Sequence, residues 1–221
     1  MKTNVDKTMD QDLVAEQKVA EKEEDRMEPN PSQTESPRLP KEPFICTVTW
    51  VNDMDDFFLT PTDKSKDFED ILLSTQDPSS ADVELMLDAM CLCEVEDIWY
   101  RARIEKISPD KLKVEVLLVD IGRKESIDAS KLRKLDVYRD TPGLATKVGL
   151  AGIRPVGATW TDHDVANFKS LVDVEGNLEF IAKLVEESDG QFKVEMKDVN
   201  EGMDIKSMLI ELGAACEIGK N

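Results

Sequence analysis

Ile98-Trp99-Tyr100-Arg101-Ala102-Arg103 and, further on, Leu118-Val119-Asp120-Ile121-Gly122-Arg123 are the two stretches whose reading decides how this chain folds. The first alternates residue types with period two, as a strand with one face on a core does. Ser108-Pro109-Asp110 follows it with turn chemistry, since Pro presets φ and Asp bonds its own backbone. The second stretch closes a hydrophobic run on Gly122, which supplies flexible backbone before another strand. Worked outward, the pattern predicts strands over 89–95, 99–107, 111–119, 124–128 and 132–135, the spacing of a five-stranded barrel. Within it Arg101, Arg103 and Glu105 are expected on a charged face, and Trp99 in the core.

The flanks carry their own signals. Residues 44–51 and 56–60 read as a hairpin turned at Asn52-Asp53. A helix capped by Thr62 or Asp63 runs to about Thr75, with Phe68, Ile71 and Leu72 on one face, and Pro78-Ser79-Ser80 marks the loop after it. Beyond the barrel, Trp160 precedes a helix capped by Thr161 or Asp162, with Val165, Phe168, Leu171 and Val172 at helical spacing. A second hairpin spans 177–186 and 192–199 around Asp189-Gly190, and a helix over 204–212 stops at Gly213. Residues 1–42, rich in Lys, Glu and Pro and almost without aromatics, are expected to be a disordered arm.

Bulk properties bound the function. The 221 residues carry a formal charge of −19 with 34% charged residues, which disfavours general nucleic-acid binding and attracts cationic peptides. With no membrane-length apolar run, no membrane association is expected. Cys46, Cys91, Cys93 and Cys216 are scattered and read as reduced thiols of the cytoplasm or nucleus. Cys91-x-Cys93 lacks two further ligands nearby and reads as buried packing, so no metal is expected. His163 is the single histidine. Asp198, Glu201 and Asp204 are acidic neighbours without paired arginines, and no phosphate-cradling loop or nucleophile elbow occurs; no enzyme activity and no cofactor are expected.

The order Trp99-Tyr100-Arg101-Ala102, turn, then Val119-Asp120-Ile121-Gly122 resembles the second and third strands of the extended Tudor family, and the resemblance covers about residues 43–217. It implies a mainly β fold with helices: a five-stranded Tudor barrel, about 87–137, inserted in a staphylococcal-nuclease-like lobe with an oligonucleotide/oligosaccharide-binding-type barrel. That lobe is split into 43–86 and 138–217, and 218–221 form a tail. Both flanking hairpins would share its barrel, and a target peptide would lie across the face between the lobes.

Family members that read methylated arginine surround the cation with four aromatic rings and an asparagine. Carried over by spacing, those positions are Glu94, Tyr100, Leu118, Ile121 and Arg123, so one ring of four survives. At roughly 0.5–2 kcal/mol per desolvated cation–π contact, losing three costs on the order of 2–5 kcal/mol, which turns a micromolar ligand into roughly a millimolar one. Arg123 adds an adverse charge.

Two readings follow. In the first the chain is a non-enzymatic adaptor that binds an unmethylated Arg- or Lys-rich peptide, with Glu94 and the acidic surface replacing rings. In the second it is a structural scaffold or dimerising subunit whose cage site is filled in and whose contacts use another surface or the N-terminal arm. The resemblance implies a partner in small-RNA transposon silencing, such as a Piwi-type Argonaute, in the cytoplasm or in perinuclear germ granules (nuage), with the nucleus left open. With one unit and a short arm, the chain is expected to be an accessory or bridging part.

Overall fold

A computed structural model describes residues 39–81, 83–174 and 178–219. The expected arm lies outside these residues up to position 38, as does position 177 of the second hairpin. Leu39 is already buried in a hydrophobic core, so packed structure starts ahead of the expected boundary at 43. Among the described residues no helix is long and apolar enough to cross a membrane.

One lobe is a closed barrel built from both ends of the described chain. Strands β1 (Phe44–Val51), β2 (Phe57–Pro61), β8 (Thr146–Leu150), β10 (Glu179–Ser188) and β11 (Gln191–Asp198) close in the order β1-β10-β11-β8-β2. Two short strands, β9 (Ile153–Arg154) and β12 (Cys216–Glu217), pair beside it. Pairing of Phe44 with Ala182 and of Phe57 with Val148 joins segments far apart in sequence. Cys46, Val48, Val51, Phe57, Phe180, Val194 and Met196 point inward. Strict alternation would send Trp50 inward after Cys46 and Val48. The ladder shifts register between Val48 and Trp50 instead, a bulge that turns Val51 to the core and Trp50 away from it.

Helix α2 (Asp162–Val172) covers this barrel, with Phe168 edge-on to Phe57 at 5.2 Å between ring centroids. A capping box fixes its start: Asp164 N–H donates to Thr161 Oγ1 while Thr161 N–H donates to Asp164 Oδ2, satisfying backbone donors that a helix start leaves orphaned. The Thr161 N–H and the Thr161 hydroxyl both donate to the Asp164 carboxylate and hold it below its ordinary pKa. Helix α3 (Ile205–Glu211) is capped by Asp204 and ends before Gly213 at φ +71. The hairpin turn Asp189-Gly190 has both φ values positive, the geometry that matches strand twist.

Between β2 and β8 lie α1 (Ser65–Thr75) and a five-stranded sheet. Its strands are β3 (Met90–Val95), β4 (Ile98–Ile107), β5 (Lys113–Leu118), β6 (Lys124–Asp128) and β7 (Leu132–Lys134), in the order β6-β5-β4-β3-β7. The edge strands β6 and β7 are joined by the single 3-10 turn Ala129–Lys131, so the chain itself closes the roll where no ladder does. Cys91, Cys93, Ala102, Ile104, Val114, Val116, Leu118 and Leu132 fill the interior. The expected strands all form. Helix α1 begins later than expected, at Ser65, after a 3-10 turn over Thr62–Lys64 without a side-chain cap.

Two residues depart from their expected places. Arg101 is not on a charged outer face: it is 1% exposed, and its Nε and Nη2 donate to Asp120 at 2.9 and 2.5 Å. Its remaining donors reach the carbonyls of Tyr138, Thr141 and Pro142, while Asp120 Oδ1 also accepts from Leu144 N–H. A buried guanidinium is tolerated when its charge and donors are matched in this way. Trp99 is half-buried outside the interior core, with Arg133 stacked 5.8 Å from its ring centroid. The Gln76 side chain accepts from Trp99 N–H and donates to its carbonyl, covering the edge of β4 that β5 does not reach.

The lobes meet at a small apolar cluster of Phe58, Leu117 and Ala145, with Trp50 packed against it. Gly122, at φ +83, lies directly under the Phe58 ring, and a Cβ there would overlap the ring atoms. This glycine is required twice, for backbone conformation and for close approach.

Candidate functional site

The mouth of the inserted sheet gathers most of the residues singled out by sequence. Strand register puts Tyr100 opposite Cys93 and Ala102 opposite Leu118, so Tyr100 and Leu118 share the inner face. Leu118 is 1% exposed and serves as core. Tyr100 is half-buried against that core, as is Ile121. Ile121 also lines a cleft of about 550 Å³ together with Thr47, Thr49, Thr60, Phe68 and Glu69. The Thr60 hydroxyl in this wall is buried without a hydrogen-bond partner among the described residues.

Glu94 does not join them. It pairs with Trp99 across the ladder and therefore projects from the opposite face to Tyr100. The acidic groups at the mouth are Glu96 and Glu125. Arg123 Nη1 donates to Glu96 Oε1 at 3.2 Å, and Arg123 Nε lies 2.5 Å from Glu125 Oε1. The guanidinium carbon stands 5.5 Å from the Trp50 ring centroid, within cation–π range. Lys169 Nζ lies 5.9 Å from the same centroid.

Trp50 is held in place by its own bonds. Its Nε1–H donates to Asn52 Oδ1 at 3.0 Å, Asn52 Nδ2 donates to Asp56, and Lys147 pairs with Asp56 at 2.8 Å. Burial disfavours the Arg123 cation, but the hydrogen bond it donates to Glu96 and the charge of Glu125 outweigh it and hold its pKa above the ordinary value. Burial, then the charge of Glu96, raises the Tyr100 phenol, with Arg123 opposing. The mouth thus holds the Arg123 guanidinium against one aromatic face and two carboxylates.

Of the positions expected from sequence, the fold brings Tyr100, Ile121 and Arg123 to this mouth, and it adds Trp50, Glu96 and Glu125, which were not singled out. Glu125 was within reach, lying on the expected strand 124–128 two residues beyond Arg123, a spacing that keeps one face along extended backbone. Trp50 was not, because a bulge and a lobe junction bring it there.

Groups with other chemical potential are otherwise engaged. Asp198 accepts from the N–H groups of Asn200 and Glu201, and Asp204 caps α3. Burial pushes the thiols of Cys46, Cys91 and Cys93 up to about 12, and Cys91 Sγ donates to the Ala102 carbonyl. Among the described residues no group of three or more His, Cys, Asp or Glu is placed to hold a metal ion.

The family model of the Tudor domain matches residues 39–152. Human Tudor domain-containing protein 6 is 35% identical over 112 residues, covering 50% of this chain but 5% of that protein. The human TDRD1 extended Tudor domain, solved with a symmetrically dimethylated peptide, superposes with a TM-score of 0.74 at 23% identity, covering 85% of this chain and 98% of that one. A variant of the Drosophila melanogaster Papi extended Tudor domain, solved with a Piwi N-terminal peptide, gives 0.72 at 20% identity, covering 80% and 100%. The chain therefore spans a small part of the curated relative and nearly all of each solved domain. The likeness to the solved domains is one of fold.

Proposed function

This chain belongs to the Tudor domain family, and from that premise we propose that it is a non-enzymatic adaptor that binds a basic peptide without needing arginine methylation. The peptide would enter at the mouth of the inserted barrel and continue along the cleft beside Ile121. The carrying observation is the make-up of the mouth: of the ring positions carried over from the family only Tyr100 is aromatic, and the cation held there faces Glu96, Glu125 and Trp50. A guanidinium with all its donors free suits carboxylate forks, and methylation blocks some of those donors.

The partner class that fits is an unmethylated Arg- or Lys-rich segment. The Piwi N-terminal peptide bound by the Papi neighbour supports a Piwi-type Argonaute as the source, and hence a role in small-RNA transposon silencing at cytoplasmic germ granules. The test is a titration of a Gly-Arg-rich peptide into the wild-type chain and into Glu96→Lys and Glu125→Lys variants. Binding should weaken with salt and fall at least about tenfold in each variant. Unchanged affinity in both would reject this site.

A scaffold reading is favoured by one separate observation. Ile45 and Ile181 pair across β1 and β10 on the outside of the split barrel and are 44% and 42% exposed. Under that reading, aspartate at both positions would abolish partner capture while leaving peptide titration at the mouth unaffected.

A further inference from the structure

We propose that Arg123 is an intrachain ligand of this mouth: its guanidinium occupies a site formed by Trp50, Glu96 and Glu125, and an external guanidinium binds there only when Arg123 swings out. The inference deepens the peptide-binding reading and rests on the mouth being a cation site, but it identifies what sets the affinity of that site.

Each contact of Arg123 at the mouth is one that an external arginine would make. Two carboxylates take its N–H donors and an indole face takes its planar cation, the partners a delocalised guanidinium prefers. A second cation, Lys169, approaches the same ring, so Trp50 acts as a platform for positive charge. The ring itself is anchored through Asn52 and Asp56 and would stay in place when Arg123 leaves.

The arrangement is also built to release. The Arg123 side chain is 29% exposed and the Glu96 side chain 76%. Glu96 sits in the two-residue turn with Asp97, both at positive φ, joining β3 to β4 at the rim. By contrast Arg101, the buried guanidinium, is closed in on every donor and cannot leave without unfolding the connector. The sequence thus carries one arginine committed to structure and one posted at the entrance. A site that is free only a fraction of the time has its apparent affinity reduced by that fraction, so Arg123 tunes which partners bind, admitting those whose further contacts along the cleft offset its displacement.

The experiment uses methylguanidinium chloride, which needs no partner, so that a failed peptide titration and a failed cation site are separate results. The full chain, labelled with nitrogen-15, is titrated against it with sodium chloride as control, reading the indole N–H signals of Trp50, Trp99 and Trp160. In Arg123→Gln the Trp50 signal should move saturably, with a half-point at least about tenfold lower than in wild type. Adding Glu96→Gln should raise that half-point again, and the Trp99 signal should not move. A folded Arg123→Gln chain with no saturable Trp50 shift, or with the wild-type half-point, overturns the proposal and leaves Arg123 as a clamp between the lobes. If Arg123→Gln does not fold, Arg123→Lys replaces it. Its shorter, single-nitrogen cation should be displaced more readily than the wild-type side chain, and a half-point no lower than wild type overturns the proposal equally.

Discussion

Replacing Asp120 by Ala would leave the Arg101 guanidinium buried without its counter-charge and Leu144 N–H without its acceptor. Removing one partner of a buried ion pair costs about 3–5 kcal/mol, much of it for the stranded charge. A domain of this kind has a total stability of about 5–15 kcal/mol, so roughly a quarter or more would go. With a urea slope of about 2 kcal/mol per molar, the unfolding midpoint should fall by about 2 M. The assay is urea unfolding followed by tryptophan fluorescence. A double variant, Arg101→Met with Asp120→Ala, sharpens it. It removes the stranded charge but still leaves the carbonyls of Tyr138, Thr141 and Pro142 without donors, so it should recover only part of the loss, about 2 kcal/mol. A single-variant shift below about 0.5 M, equivalent to about 1 kcal/mol, would refute the view that this pair fastens the connector to the barrel.

Gly122→Ala should destabilise by ~2–4 kcal/mol, since it combines a positive φ with overlap of the Phe58 ring; a melting temperature within a degree or two of wild type would contradict this. Cys46, Cys91 and Cys93 have pKa values raised to about 12 by burial, above the unfolded value of about 8.5. Their contribution to stability is therefore complete below about pH 8.5 and is lost as pH rises toward 12. A thiol reagent at pH 8 should label half-buried Cys216 first and the other cysteines only on unfolding, and fast labelling of all of them in the folded chain would contradict it.

The inserted sheet was legible because its signals are local. Alternation, turn residues and Gly122 marked each strand to within a residue or two, as at 124–128 and β6 (Lys124–Asp128). The shared barrel came only through family resemblance, since nothing local says that Phe44 pairs with Ala182. Arg101 was misplaced because alternation tells faces apart but not which one a second lobe covers. Spacing singled out Tyr100 and Arg123, and the fold brings them close enough to interact. Glu94 was carried to the wrong face because a two-residue turn at Glu96-Asp97 fixes the register against it. Trp50 depended on a bulge between Val48 and Trp50, which composition does not mark.

The central claim is that the mouth binds a cationic side chain through carboxylates and one indole face rather than through a complete aromatic cage. Its most direct measurement is calorimetric titration of the wild-type chain with one Gly-Arg-rich peptide prepared unmethylated and with its arginine symmetrically dimethylated, at a single salt concentration. The dimethylated form should bind no better than the unmethylated one, or more weakly, because methyl groups block donors to Glu96 and Glu125 and find only Tyr100 and an already engaged Trp50. A preference of about tenfold or more for the dimethylated peptide, about 1.4 kcal/mol, would contradict it.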